Sequence, residues 1–384
     1  MKLPDIPLAE SAPEKFVSLH EAALARGDGR EPIILICWPD ARMNKYQALL
    51  YGAAFEQGFE VVRITKLEQI NKVWWPGHIV FHAHWFSGIY ATCASEEDAI
   101  AANAAAQETL LNFQARTGAR FLWTAHNLLP HGTPFPEATL AMRRWIVERF
   151  DAIHLLNQEH RGVLEDAFGM PLRRTFVAPH PFYTDVYPDY VRRDEARSAF
   201  GLRHDGVVFL AFGSLQTYKK LDVLLDAFAK VSAQRSNPPS LLIAGKPVDA
   251  TVIGMLRDAA SYNPDIKLSA GTVPDEDVQY YVRAADAMVL TQSEALNSGS
   301  ALLAVTMGLP VIAPDTPAFR PLRPLGVQTY DPPDAAALAD AMAAFLDRRP
   351  SAANGKNNLY TDYLPQAVST RFFSSVRELV TGDA

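Results

Sequence analysis

From Pro32 onward, short runs of apolar residues alternate with longer stretches of helical periodicity. No other feature constrains the fold so tightly. An apolar run of a few residues with little polar alternation must be covered on both faces, and strands of a parallel sheet joined by crossover helices meet that condition. In the first half the predicted strands are Ile33 to Cys37, Glu60 to Ile64, His78 to His84, Arg120 to Ala125, Ala152 to Leu156 and Thr175 to Ala178. Predicted helices at Asn44 to Gln57, Glu96 to Arg116, Pro136 to Arg149 and Glu159 to Phe168 lie between them. A second series comprises Val207 to Phe212, Leu241 to Ala244, Ile266 to Ala270, Ala287 to Leu290, Val311 to Ala313 and Val327 to Tyr330. The expected class is α/β, with two Rossmann-like, doubly wound domains facing a central cleft.

The expected boundaries are an N-terminal extension over 1–31 with an amphipathic helix at Pro13 to Ala25, a first domain over 32–180, a linker over 181–204, a second domain over 205–362 and a C-terminal helix over 363–384 that returns to the first domain. The linker is read from its prolines, charges and aromatic residues, which break the alternation. Ligands of such folds sit beyond the carboxyl ends of the strands, so functional residues are expected in the loops that follow them.

Composition narrows the function. With 36 Lys and Arg against 43 Asp and Glu, the net charge of −7 disfavours a protein that grips phosphodiester backbones over a broad basic face. Nucleic acid is therefore not an expected partner. The two cysteines, Cys37 and Cys93, form no CxxC pair, so neither a disulfide framework nor a structural metal is expected. Met1 to Ala12 lacks the basic start and apolar run of a signal peptide, and no apolar stretch approaches the ~18 residues of a membrane span. The expected location is cytoplasmic. Trp74-Trp75 beside Lys72, and Arg143-Arg144-Trp145, read either as core packing or as a peripheral contact with the inner face of a membrane.

Two stretches carry anion chemistry. In Ser293 to Pro310 a small polar turn, Asn297-Ser298-Gly299-Ser300, leads into an apolar helix that stops at Gly308. Exposed amides and the positive end of the helix dipole suit a phosphate there, and Gly299 lets the backbone approach it. A Ser cap on a buried helix is the plainer alternative. In Phe212 to Asp222, Gly213 permits a tight turn at a strand end, and Lys219 or Lys220 offers a positive charge, or merely a solvated one. Together the two suggest a bound nucleoside diphosphate.

These residues also carry a resemblance. Gly213, Tyr218-Lys219-Lys220, Ala244-Gly245-Lys246, Gly271 to Asp275, Ala285-Asp286 and the Ser298-Gly299-Ser300 helix ending in Met307 to Pro310 stand in the order found in GT-B glycosyltransferases of the large retaining family 4 type. With Phe81 to Trp85, Thr124 to His131 and Asn297 to Ser300, the chain resembles most the bacterial exopolysaccharide enzymes typified by the beta-mannosyltransferase of xanthan assembly. The resemblance implies a GT-B fold and a hexosyltransferase. The donor would be a nucleotide sugar, GDP-mannose favoured and a UDP-sugar the alternative, with no cofactor required. The acceptor would be a glycan or a polyprenyl-diphosphate-linked oligosaccharide, and inversion is favoured over retention. Donor contacts are assigned to Gly213, Ser214, Lys219, Gly245, Lys246, Thr272, Val273, Glu294, Asn297, Ser298, Gly299 and Ser300, and acceptor contacts to Asn44, Tyr46 and Asn127. Three departures stand out. Leu303 replaces the carboxylate that binds the donor ribose in many family 4 enzymes, Ala295 falls where an earlier Glu would stand, and Gln216 lies where an Arg is often found.

The catalytic candidates are His126, His84, Asp40 and Glu97. His82 and His84 share one face of a strand, with His84 nearer its end, and His126 follows the strand Arg120 to Ala125. Either could orient a sugar hydroxyl, stabilise a phosphate, or simply pack. Asp40 and Glu97, with Glu96 and Asp98, could take the proton of an attacking hydroxyl, or could sit at solvated helix starts. A rival outside the enzymes is a GT-B subunit that binds nucleotide or sugar without catalysis, a reading that Leu303 keeps open.

Overall fold

The computed structural model describes residues 32–41, 44–130, 132–348 and 358–382. The expected extension over 1–31, with its helix at Pro13 to Ala25, lies outside them. The chain divides into one unit of Met1–Pro181 with Tyr363–Ala384 and another of Phe182–Asp362.

In the first unit, β1 (Ile33–Trp38), β2 (Phe59–Arg63), β3 (Ile79–Ala83), β4 (Arg120–Thr124), β5 (Ala152–Leu155) and β6 (Thr175–Val177) form a parallel sheet in the order β2-β1-β3-β4-β5-β6. Every residue of β1, β3 and β5 is buried, as strands covered on both faces require. The helix Glu96–Thr117 starts at a capping box, in which Ser95 Oγ accepts from the Asp98 amide and the Asp98 carboxylate accepts back from the Ser95 amide, each at 3.1 Å. It ends at Gly118, whose φ of 67° only glycine takes freely.

The helix expected over Asn44 to Gln57 is shorter, Lys45–Leu50, and residues 51–58 continue as turns. The reason is the C-terminal helix Pro365–Thr381. Its Ser369 hydroxyl donates to the Leu50 carbonyl at 2.6 Å and accepts from the Ala53 amide at 2.9 Å, pairing groups a continuing helix would have used itself. Val368, Phe372 and Val376, four residues apart, form the buried face of this helix together with Phe373 and Leu379. The Phe372 ring meets Tyr51, His82, His154, Phe176 and Phe373.

The second unit holds β7 (Val208–Phe212), β8 (Ser240–Gly245), β9 (Ile266–Ala270), β10 (Ala287–Val289), β11 (Val311–Pro314) and β12 (Val327–Tyr330), all parallel, in the order β12-β11-β10-β7-β8-β9. The strand order reverses between β7 and β10, the point at which doubly wound sheets bind ligands. Phe209, Leu224, Phe228, Leu241, Ile243, Leu256, Met342 and Phe345 fill one face of the sheet.

Most of the stretch expected as a linker over 181–204 is part of this second unit. It carries the helix Arg193–Ala199, whose Arg197 is fully buried. That guanidinium donates to the carbonyls of Ala284, Arg203, His204 and Gly206 and pairs with Asp286 at 2.7 Å. Asp286 in turn accepts from the Val208 amide at the start of β7. Prolines and charges read as a linker because sequence alone does not reveal that an Arg will find four carbonyls.

Phe372→Ala should cost about 3–5 kcal/mol, the usual range for emptying a buried aromatic site. Denaturant unfolding measures it, and a loss below about 1 kcal/mol would mean that the C-terminal helix is not an integral part of the first core.

Candidate active site

In the second unit the groups converge where β7 ends. Gly213 has a φ of 110°, and a Cβ there would lie 2.8 Å from Lys219 Nζ and 3.2 Å from Ser300 Oγ. Glycine is thus what lets both polar groups reach the strand end. Lys219 Nζ and Ser300 Oγ each donate to the Phe212 carbonyl at 3.1 Å. Gly245, at φ 149°, has no room for a Cβ, which would fall 1.8 Å from the Gly213 carbonyl oxygen. Lys219 is buried rather than solvated, and among the described residues no carboxylate lies within ion-pair reach. Burial lowers its ammonium to about 8. The expected loop lysine is therefore held inside a short turn, Thr217–Lys219, whose last carbonyl accepts from the Thr291 hydroxyl beyond β10.

Lys220 takes the left-handed φ of 48°, donates to Ser293 Oγ at 2.6 Å and lies 3.9 Å from the exposed Glu294 carboxylate. The helix Gly299–Thr306 is capped by Ser298, whose Oγ accepts from the Ala301 amide at 3.2 Å. The Gly299 and Ser300 amides are among the first N–H groups of that helix, which have no intrahelical acceptor. A Cβ on Gly299 would lie 2.8 Å from Tyr183 Oη, so a larger residue here would force the tyrosine ring to shift. Asn297 precedes the cap. Ser214 and Lys246 follow β7 and β8, with Lys246 exposed, while Thr272 and Val273 follow the edge strand β9. Leu303, at the position of the missing carboxylate, is buried, and so is Ala295.

In the first unit His82, His84 and His154 are completely buried and His126 half-buried at the end of β4. Tyr51 Oη stands 2.7 Å from both His82 Nδ1 and His84 Nε2. His84 Nδ1 lies 2.9 Å from His126 Nε2, and the His126 ring stacks on Trp85 with centroids 4.4 Å apart. Burial, the dominant cause, holds the imidazoles of His82, His84 and His126 well below the usual histidine range and lowers His154 and His180 to about 4. Tyr46 is buried edge-on against His84 and His126.

Two of the remaining candidates have structural employment. The Asp40 carboxylate is buried and bound to Arg63 at 2.9 Å. Asn44 caps the helix Lys45–Leu50 by accepting from the Tyr46 amide at 3.0 Å. Glu97 is exposed in the first turn of its helix, with Asp98 in the capping box and Glu96 accepting from the Ala138 amide at 2.5 Å. Asn127 Oδ1 is 3.5 Å from Arg143, which is buried over the Trp123 ring. Of the two aromatic and basic clusters, only Trp74 is broadly exposed among the tryptophans, since Trp75 is buried and donates to the Pro32 carbonyl. No helix among the described residues is long and apolar enough to cross a membrane. Tyr51, Thr124 and His154 were not singled out by sequence. The available signal was the strand register, which sets Thr124 beside His154 across β4 and β5.

Residues 192–362 match the Glycosyl transferases group 1 family, so the second unit carries a domain of that family. Over 283 residues the chain is 26% identical to the GDP-mannose:glycolipid 4-beta-D-mannosyltransferase of Xanthomonas campestris, covering 72% of this chain and 71% of the relative. Over 160 residues, 39% of this chain and 34% of the relative, it is 31% identical to the mannosylfructose-phosphate synthase of Agrobacterium fabrum. Among solved structures, sucrose-phosphate synthase from Thermosynechococcus elongatus superposes with a TM-score of 0.68 at 16% identity, covering 92% of this chain and all of that one. The fold is GT-B, with two Rossmann-like domains.

The buried histidines make stability depend on pH. Each is neutral in the folded protein and binds a proton below about pH 6.5 when unfolded, so their contribution is complete above that value and is lost as pH falls from about 6.5 toward 4. The melting temperature should fall progressively over that window in a pH series, beginning above the range where carboxylates titrate. A flat profile between about pH 7 and 5 would show that the imidazoles are not held neutral.

Proposed function

We propose that the chain transfers a hexose, mannose favoured, from a nucleoside-diphosphate sugar to a glycan or polyprenyl-diphosphate-linked acceptor in bacterial polysaccharide assembly. The observation that carries this reading is the Lys219 ammonium, buried with no carboxylate partner among the described residues, beside the first amides of Gly299–Thr306 at the strand-order reversal of β7 and β10. A buried cation is costly unless an anion meets it, and a departing diphosphate supplies that anion where negative charge develops. Binding of the donor is assigned to the second unit, through Gly213, Lys219, Gly245 and Asn297 to Ser300. The Xanthomonas relative's named donor, GDP-mannose, and named acceptor class, a glycolipid, support the favoured sugar and a peripheral membrane location.

In the first unit His126 is the sugar-facing residue of this proposal, with Tyr46 and Asn127 on the acceptor side. Inversion, the favoured outcome, requires a base on the acceptor hydroxyl. Asp40 and Glu97 are the carboxylates offered for it, and Asp40 would serve only after release from Arg63. The second reading, a subunit that binds nucleotide without transfer, draws on the burial of Leu303. Incubation with labelled GDP-mannose, UDP-glucose and a bacterial lipid extract separates the two. Label in the lipid fraction, with the anomeric configuration read by NMR, supports transfer, whereas saturable nucleotide binding without any transfer supports the subunit.

Lys219→Ala should weaken GDP binding by ~1.5–3 kcal/mol, or roughly tenfold to more than a hundredfold, with the fold retained. Because the free ammonium titrates at about 8, binding of an anion that raises this value takes up a proton above it. Affinity should therefore be level below about pH 8 and decline above it, and the decline should vanish in Lys219→Ala. Calorimetry at several pH values measures both effects, and equal affinities in the two proteins would remove Lys219 from the site.

A further inference from the structure

Five buried polar side chains of the first unit, His154, Thr124, His82, Tyr51 and His84, form one continuous chain with His126, and its polarity can be worked out from its end. The Ala178 carbonyl can only accept, so His154, whose Nε2 lies 2.8 Å away, carries its proton on Nε2. A neutral imidazole then has a bare Nδ1, so the Thr124 hydroxyl, 2.9 Å away, donates to it. Thr124 Oγ1 has given up its only proton and accepts from His82 Nε2 at 2.7 Å. His82 Nδ1 is therefore bare and accepts from the Tyr51 hydroxyl at 2.7 Å, which makes the Tyr51 oxygen the acceptor for His84 Nε2. His84 Nδ1 is bare in its turn and accepts from His126 Nε2 at 2.9 Å. Each step leaves one choice, provided that the rings are neutral, and burial keeps them so.

We infer that Tyr51, His82, Thr124 and His154 are positioning residues that lock His126 as its Nε2–H tautomer, which makes its Nδ1 a hydrogen-bond acceptor and never a donor. The chain is not a proton exit, because it ends on a carbonyl that cannot take a proton. What it fixes is chemical selectivity. A lone pair accepts from a hydroxyl and repels a phosphate oxygen, so the lock makes His126 Nδ1 compatible with a sugar hydroxyl and not with the diphosphate. That consequence rests on His126 being the sugar-facing residue proposed above, whereas the tautomer itself does not.

Nitrogen NMR of the full chain labelled at histidine tests the lock, since protonated and bare ring nitrogens resonate far apart. His82, His84, His126 and His154 should all appear as Nε2–H tautomers. His180, whose Nδ1 donates to the Pro181 carbonyl at 2.7 Å, should appear as the opposite one and serves as an internal reference. In Tyr51→Phe, which removes one donor and one acceptor from the middle of the chain, the His126 nitrogens should move from pure to averaged positions. Thr124→Val should do the same and Thr124→Ser should restore the original spectrum, which simple loss of packing would not. A proton on Nδ1 of any of the four in the wild-type protein overturns the proposal, even if no variant folds. So does an unshifted His126 in folded Tyr51→Phe. GDP affinity, measured on the same samples, should not change; its loss would implicate the donor assignment and leave the tautomer result standing.

Discussion

A strand that ends inside a protein leaves a carbonyl that must find a donor, and the two arrays of polar groups are each built on one such carbonyl. Just beyond β6 the Ala178 oxygen takes the proton of His154 and so sets the direction of every hydrogen bond out to His126. At the end of β7 the Phe212 oxygen takes both the Lys219 ammonium and the Ser300 hydroxyl. The second arrangement brings a cation and a helix N-terminus to one point, with Gly213 and Gly245 giving the clearance. A Cβ at Gly213 would crowd both side chains, and one at Gly245 would collide with the Gly213 carbonyl.

The energetic character of the two arrays differs. The histidine chain is internally satisfied, so its burial costs little beyond keeping the rings neutral. Lys219 donates to a carbonyl and is desolvated by burial with no counter-charge among the described residues, which is why its affinity for a proton falls. Such a group destabilises the empty protein and is stabilised by an anion. An unpaired buried charge is therefore evidence for a ligand in a way that the satisfied histidines are not.

Much of this was legible in the sequence. The apolar runs from Ile33 to Cys37 through Val327 to Tyr330 show up as the twelve strands of two parallel sheets because parallel strands, covered on both faces, need no alternation to be recognised. Gly213 at a strand end and the Asn297 to Ser300 turn before a helix were recognisable because a tight turn favours glycine and a helix start favours a small polar cap. What could not be read was side-chain partnership across distant elements. Nothing local marks Arg197 as the anchor of residues 193–199, Ser369 as the stop of the helix at Leu50, or Arg63 as the partner of Asp40. Lys219 and Lys220 are adjacent and alike in sequence, and only the turn that buries one and leaves the other half-exposed tells them apart. The histidine chain needed register as well as sequence, since Thr124 and His154 lie thirty residues apart.

The most direct test of the account is a crystal structure of the protein with GDP. It should place the diphosphate against the Gly299 and Ser300 amides, within hydrogen-bond distance of Lys219 Nζ. A diphosphate bound away from the ends of β7 and β10, with Lys219 still donating only to the Phe212 carbonyl, would contradict it.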